Sequence, residues 1–332
     1  MFKRLVFGSL ALMLSGCEST TPPDWYVLET NSDSDYIYAV GEARTLNLAK
    51  KSALANINEQ LWTQVDSSFS SDEQFRAIND ESLRNENVRN SVNAKSAQLT
   101  FTGTEYLKTD QNDIAYYVQA RVKRENVKDQ LLAELSQIEE QSVRVIKNFS
   151  HQDKLVWWLN NRDLSDEISD YYVRVGILTS MGLKYDTENS QLIRLIPKVS
   201  QAKSDLYIYI QPGRQDKRSA AFISEKFNLE GISTTQKWSA KNSHVLKMDS
   251  EYRQSKVGDA YITTKVTQLT LKNKQGKTIS SGEIISTGNS VSNFKLSHEG
   301  AERHFSQQLD EMGIWHALGL KNKIIFALEY SK

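Results

Sequence analysis

Cys17 is the one residue whose side-chain chemistry and position both stand out. It is the single cysteine among 332 residues, so its thiol can form no intramolecular disulfide and belongs to no cysteine-rich zinc site. It follows a leader in which Lys3 and Arg4 precede an apolar run from Leu5 to Leu14. That run is too short to cross a bilayer, which takes about 20 apolar residues, so the pattern predicts a secretory signal peptide.

The end of this leader resembles the bacterial lipobox, with Leu14, Ser15 and Gly16 directly before Cys17. The resemblance implies that the thiol receives a diacylglyceryl group, that a signal peptidase cuts before Cys17, and that the new amino group takes an acyl chain such as palmitate. Two chains anchor a protein stably, whereas one binds marginally. Glu18 stands where lipoproteins of the inner membrane typically carry Asp, which favours the periplasmic face of the outer membrane. An ordinary signal peptide beside an incidental cysteine is the alternative.

The charge balance argues against nucleic acid as a partner. The chain has 41 basic and 41 acidic side chains, and cleavage before Cys17 would remove two basic residues and no acidic ones. Phosphate binding needs an excess of Lys and Arg, which this mildly acidic body lacks. The body also adds no polybasic attraction to anionic lipid, so the acyl chains would anchor the protein alone.

No constellation of residues predicts an enzyme, a metal site or a cofactor. His298 and His304 are six residues apart, which is not the spacing of a zinc-binding helix, and we interpret all five histidines as surface or helix-end residues. Residues 276–278, Gly-Lys-Thr, end like a phosphate-binding loop, but Leu271 stands where the first glycine is required. An envelope hydrolase is a further alternative, because a pair of catalytic carboxylates depends on a cleft geometry that sequence does not show.

Two pairs of neighbouring residues are candidates for contact with a partner. Gly41 and Glu42 follow a β-type run and precede a helix, so we interpret them as a strand-to-helix turn in which glycine allows close backbone approach. A partner-docking turn is the alternative. Trp157 and Trp158 lie in a helical segment, where adjacent side chains face different sides. We therefore expect one indole in the core and the other exposed, where it would contact a protein or a glycan.

The elements around Gly41 and Glu42 predict a small α+β domain at 25–140. Thr45 is a plausible N-cap for a helix whose apolar residues recur every four positions: Ala49, Ala53, Ile57, Leu61 and Val65. The order is a strand, this helix, a hairpin with its turn at 109–113, and a second helix: 36–40, 45–65, 97–107 with 114–122, and from about 125.

The rest of the chain predicts a helical bridge at 141–190 and a second α+β domain at 191–332. The second domain contains a short strand, an antiparallel meander, a helix and a final strand: 206–210, then 243–249 with 259–271 and 277–287, then 298–318 and 323–330. The fold class is therefore α+β, with two small α/β-type sandwich domains joined by a helical segment. They follow a lipoprotein signal peptide at 1–16 and a lipidated tether at 17–24.

The first domain resembles the LPP20 lipoprotein family in Asp24 and Trp25, the run from Tyr36 to Ala43 (YIYAVGEA), the alanine-rich helix and the hairpin. That family includes outer-membrane lipoproteins, some of them linked to flagellar basal-body assembly. The resemblance covers 24 to about 140 and implies a non-enzymatic, lipid-anchored protein that contacts envelope or flagellar proteins. Exposed strand edges would allow pairing with a partner, or with a second copy in a homo-oligomer. A module that binds peptidoglycan or another envelope polymer is the alternative.

Overall fold

The computed structural model describes residues 20–27, 32–69 and 99–320. Two compact units are present: Met1–Gln137 with Ile168–Tyr185 form the N-terminal unit, and Ile138–Glu167 with Asp186–Lys332 form the C-terminal unit. Helices and two separate sheets confirm the α+β class. The residues of the predicted bridge are shared between the two units, and the predicted domain boundaries stay predictions.

The N-terminal unit contains the first helices and strands of the chain: α1 (Asp24–Val27), β1 (Tyr36–Ala43), α2 (Leu46–Phe69), β2 (Glu105–Gln111), β3 (Tyr116–Lys123), the first part of α3 (Arg124–Asn148) and most of α5 (Ser165–Ser180). Its sheet is antiparallel in the order β1-β3-β2, and α2 packs against β1 and β3. The predicted stripe of α2 is buried: Ala49, Ala53, Ile57 and Leu61. Its fifth member, Val65, lies outside the described side chains.

The hairpin of this unit differs from the prediction by several residues. Strand β2 begins at Glu105 instead of near 97, and the turn lies at 112–115 instead of 109–113. Asn112 places the turn, because its Oδ1 accepts hydrogen bonds from the N–H groups of Ile114 (3.0 Å) and Ala115 (2.9 Å). Every residue of β2 is exposed, so this strand has no apolar alternation from which its limits could be predicted.

The C-terminal unit contains the remaining elements: the last part of α3, α4 (Lys154–Asn161), α6 (Gln191–Ser204), β4 (Tyr207–Gln211), α7 (Lys217–Leu229), β5 (Ser233–Thr235), β6 (His244–Val257), β7 (Ala260–Asn273), β8 (Thr278–Ser290), α8 (Phe294–Met312) and α9 (Ile314–Ala317). Its five-stranded sheet has the order β5-β4-β6-β7-β8, with β4 parallel to β5 and β6 and the others antiparallel. Helix α8 packs on β7 and β8, and α7 packs on β4 and β5.

The single helix predicted at 298–318 is two helices. Gly313 lies between α8 and α9 with a φ of 78°, a left-handed conformation that favours glycine and ends the first helix. The apolar positions on both sides of this break are nevertheless buried, including Leu309 and Trp315. The predicted final strand at 323–330 and most of the segment 66–95 lie outside the described residues.

Two properties of the described residues bear on membrane and metal chemistry. None of the helices that the structure describes combines the length and the apolar character needed to cross a bilayer. Within the same ranges, no group of three or more His, Cys, Asp or Glu side chains is arranged to hold a metal ion.

Candidate functional site

The predicted lipid-attachment residue, Cys17, and the three residues before it, Leu14, Ser15 and Gly16, lie outside the described residues. The nearest described segment begins at residue 20. Lipidation at Cys17 therefore stays a prediction from the sequence.

Gly41 provides close packing between strand β1 and helix α2. A Cβ atom at this position would lie 2.2 Å from the backbone nitrogen of Ala53 and 2.4 Å from the carbonyl oxygen of Ala49. Gly41 is buried, so its surface is not accessible to a partner protein. Helix–strand packing thus requires glycine at this position, as the sequence indicated. The expected strand-to-helix turn at Gly41 and Glu42 is wrong, because both residues lie within β1 and pair with β3.

Glu42 follows Gly41 on β1 and is exposed. Its carboxylate lies near Tyr26 of α1, and burial together with this negative charge raises the pKa of the Tyr26 hydroxyl. The Tyr26 ring packs edge-to-face on Tyr117 of β3, with centroids 4.8 Å apart. Asn112 donates to the Tyr117 hydroxyl and to the carbonyl oxygen of Thr21, each at 3.1 Å. The last part of the predicted tether and the residues just after it are therefore attached to the end of the sheet near Glu42.

The sheet face opposite α2 carries a group of aromatic and charged side chains that the sequence analysis did not single out. Tyr36 and Tyr38 alternate along β1, and the Arg121 guanidinium of β3 lies 4.2 Å from the centre of the Tyr36 ring. Glu105 of β2 accepts from Arg121 Nε at 2.9 Å. Tyrosine and arginine are enriched in protein–protein contacts. We call Tyr36, Tyr38, Arg121 and Glu105 the aromatic face.

The two edges of this sheet are not equally free for strand pairing. On β1, Asn56 donates to the carbonyl oxygen of Val40 at 2.7 Å, and Gln60 donates to that of Tyr38 at 2.9 Å. These two side chains of α2 therefore occupy backbone carbonyl oxygens on the β1 edge that an additional strand would need for pairing. On β2, the register is interrupted between Tyr106 and Lys108, and such a bulge disfavours a regular further strand.

Trp157 and Trp158 are both buried, so the expectation that one indole is exposed is wrong. Trp157 is 1% exposed, and its Nε1 donates to the carbonyl oxygen of Val145 at 3.0 Å. Trp158 is 3% exposed and packs edge-to-face on Trp315, with centroids 5.8 Å apart. Helix α4 is covered on more than one side, because partners distant in sequence enclose it. Neither ring is presented to a protein or a glycan.

Asp153, His244 and Ser243 form a chain of hydrogen bonds in the C-terminal unit. His244 Nε2 lies 3.0 Å and 3.1 Å from the two carboxylate oxygens of Asp153, and its Nδ1 lies 2.8 Å from Ser243 Oγ. His244 is 2% exposed, so its interpretation as a surface or helix-end residue is wrong. Ser243 Oγ also accepts from the N–H of Tyr207 at 2.9 Å, which ties it to β4. Ser243, which lies directly before β6, is thereby fixed to β4.

The Asp153 carboxylate is stabilised from several directions. It caps α4 by accepting from the N–H groups of Leu155 at 3.0 Å and Val156 at 3.3 Å. Burial acts to raise the pKa of Asp153, but the hydrogen bond and charge of His244 and these two amides outweigh it, so the pKa is lowered. The charge of Asp153 is thus satisfied within the protein.

A second buried polar group surrounds Lys265 of β7, which is completely buried. Its Nζ lies 2.6 Å from Glu302 of α8 and 3.2 Å from Asp216, and donates to Ser219 Oγ at 2.6 Å. Tyr252 donates to Glu302 at 2.8 Å. Burial acts to raise the pKa of Glu302, but hydrogen bonds from Lys265 and Ser219 lower it overall. Asp216 Oδ1 forms this ion pair but no hydrogen bond, while the contacts of Lys265, Ser219 and Glu302 fix α7 and α8 on the sheet.

Neither buried network has a local sign in the sequence. Asp153 and His244 are 91 positions apart, and Lys265 and Glu302 are 37 apart. Their residue types are common on protein surfaces, so only the tertiary structure brings them together. The aromatic face had a weaker sign, the alternation of Tyr36 and Tyr38 along one strand.

Comparison with known proteins supports the sequence resemblance in the first domain. Residues 23–123 match the family model of the LPP20 lipoprotein, which confirms the resemblance over that segment. No curated protein is significantly similar to this chain in sequence.

Solved structures show only distant similarity. The secreted protein HP1454 of Helicobacter pylori is 11% identical, with 84% of this chain and 98% of that chain covered and a TM-score of 0.44. A minor lipoprotein of Acinetobacter baumannii is 7% identical, with 35% and 95% covered and a TM-score of 0.28. The lipoprotein GNA1162 of Neisseria meningitidis is 17% identical, with 32% and 99% covered and a TM-score of 0.19. At TM-scores this low, these similarities assign no function.

Proposed function

We propose that this chain is a non-enzymatic lipoprotein, anchored by acylated Cys17 to the periplasmic face of the outer membrane, which acts through protein–protein contacts in envelope or flagellar assembly. The observation that carries the proposal is the LPP20 lipoprotein match at 23–123, which begins six residues after Cys17. A lipobox directly before a domain of this type supports lipid attachment.

The aromatic face is the surface that we assign to the contacts. Its tyrosines and its arginine are large, partly exposed side chains on strands, so a partner could bury them with little loss of conformational freedom. Pairing through strand edges, by a partner or a second copy, is the less favoured mode, because α2 side chains occupy part of the β1 edge and β2 is bulged.

Anchoring is tested by Cys17→Ser, with Glu18→Asp as a variant that keeps the thiol. Membranes are separated on a density gradient and the protein is followed by immunoblot. Cys17→Ser should leave the membrane fractions, and Glu18→Asp should move from the outer to the inner membrane. Recovery of Cys17→Ser in the outer-membrane fraction would contradict lipid anchoring.

Partner contact is tested by cross-linking in cells that carry Tyr36→Ala with Tyr38→Ala. Tyr106→Ala is the matched control, because it removes an exposed tyrosine from β2 outside the aromatic face. The double variant should lose its cross-linked species while the control keeps them. Deletion of the chain, followed by motility and detergent-sensitivity assays, separates a flagellar role from a wider envelope role.

The alternative is a module that binds peptidoglycan or another envelope polymer. The buried positions of Trp157 and Trp158 give it no exposed pair of indoles for stacking on sugars. Sedimentation with purified cell wall distinguishes the two functions, since the proposed contact protein should stay in the supernatant once its protein partners are removed.

A further inference from the structure

A cleft of about 940 Å³ opens on the C-terminal unit beside the Asp153–His244 pair. Three turns form its walls: 150–154 before α4, 241–243 before β6, and 273–278 between β7 and β8. Small-molecule sites typically measure about 300–1,000 Å³, so the cleft has room for a ligand of disaccharide size. No part of the proposed function uses it.

Positive charge predominates in the lining of this cleft. Its cationic side chains come from all three walls: Lys154, Lys241, Lys274 and Lys277. The lining also contains two acids, and both are engaged: Asp205 pairs with Lys154, and Asp153 is bound by His244. Across the described ranges, no ion pair is formed by the other three lysines. The cleft therefore presents unneutralised positive charge to a ligand.

Two further features describe the walls of the cleft. Asn242, 2% exposed and part of the lining, has an Nδ2 group with no hydrogen-bond partner, while its Oδ1 accepts from Ser239 at 2.6 Å. This Nδ2 atom is enclosed by protein atoms and does not face the cleft directly. The turn that carries Lys274 and Lys277 is ordered by Asn273, whose Oδ1 accepts from the N–H of Lys277 at 2.9 Å. Two lysines are thus held on a fixed turn at the rim.

We propose that this cleft binds a ligand that carries an oxyanion, either phosphate or carboxylate, on a polar body about the size of a disaccharide. The lysines supply the charge attraction. Asp153 does not oppose the ligand strongly, because His244 and the first amides of α4 already bind its carboxylate. The oxyanion could come from a phosphorylated headgroup or from a peptide or sugar acid.

The test is isothermal titration calorimetry on the full chain in detergent with three probes: pyrophosphate, citrate and the disaccharide acid lactobionate. Saturable binding of pyrophosphate alone would identify a phosphate site. Saturable binding of the two carboxylate probes alone would identify a carboxylate site. The affinity should fall as salt is raised, because the attraction is electrostatic. Absence of binding by all three probes at low salt would overturn the proposal.

Variants locate the binding in the cleft. The double variant Lys274→Glu with Lys277→Glu should lower the affinity for the probe by about tenfold or more, because each charge reversal removes an attraction and adds a repulsion. Lys237→Glu with Lys295→Glu is the matched control, because both lysines are exposed and outside the lining. Equal weakening in the control pair would mean non-specific attraction and would refute the site. Lys241→Glu, on another wall, provides an independent replicate, and melting curves confirm that each variant is folded.

Discussion

Replacing Gly41 by alanine tests whether close helix–strand packing holds the N-terminal unit together. The new methyl group would lie 2.2 Å from the nitrogen of Ala53 and 2.4 Å from the oxygen of Ala49, both backbone atoms that cannot rotate away. Helix α2 would have to shift away from β1 by about 1 Å to restore ordinary contact, which disturbs the packing of its buried stripe. Overpacking of this kind costs about 1–3 kcal/mol, and backbone contacts favour the upper end.

A smaller effect acts in the opposite direction. Alanine restricts the unfolded chain more than glycine does, which stabilises the folded state by about 0.4–1 kcal/mol. The net expectation for Gly41→Ala is therefore a loss of about 2 kcal/mol from the N-terminal unit. In hydrogen exchange, that loss corresponds to roughly 30-fold faster exchange of amides protected by unfolding of the unit.

The assay is hydrogen–deuterium exchange followed by mass spectrometry. Peptides from 36–61 should exchange faster in Gly41→Ala, while peptides from β6 and β7 in the C-terminal unit serve as an internal reference. Glu42→Ala is the matched control, because its side chain is exposed and its removal should change stability by no more than about 0.5 kcal/mol. Unchanged exchange at 36–61 in Gly41→Ala would refute the packing argument.

The other predictions concern the C-terminal unit, and calorimetry or chemical denaturation measures them. Trp158→Ala should destabilise the unit by about 3–5 kcal/mol, because it deletes a buried ring, and a wild-type melting temperature would contradict its burial. Lys265→Met should cost about 3–5 kcal/mol by leaving Glu302 buried without its cation, and adding Glu302→Gln should restore part of the loss. The lowered pKa of Asp153 stabilises the fold above the unfolded pKa of about 4, and this contribution is lost as pH falls through the folded value. Asp153→Asn should therefore destabilise at pH 7 and have much less effect near pH 2; an equal effect at both would show that the charge is irrelevant.

Local patterns predicted the parts of the fold that depend on neighbours along the chain. Thr45 and the four-residue spacing of Ala49, Ala53 and Ile57 identified α2, because capping and helical periodicity are local properties. The hairpin turn was placed too early, because Asn112 fixes it through side-chain bonds to the backbone, and the exposed β2 has no alternation to reveal its limits.

The candidate sites depended on contacts that no local pattern contains. Trp158 is buried because Trp315, 157 positions later, packs against it, whereas helix geometry alone predicted that one of the two neighbouring indoles is exposed. His244 is a core residue because Asp153 and Ser243 bind both of its ring nitrogens. In the cleft, the charge excess depends on which lysines already have acidic partners, and the sequence does not contain that information.

If Cys17 is acylated as proposed, the hydrogen bond from Asn112 to Thr21 would limit how far the folded body can move from the bilayer. Only three residues separate Thr21 from Cys17, and an extended chain reaches about 3.3–3.6 Å per residue, so an acylated Cys17 would lie within about 14 Å of that bond. The short linker would then keep the loop between β2 and β3 close to the lipid headgroups. A linker of this length would restrict the folded body to rotation near the membrane surface. Its partners would therefore have to bind it close to the membrane.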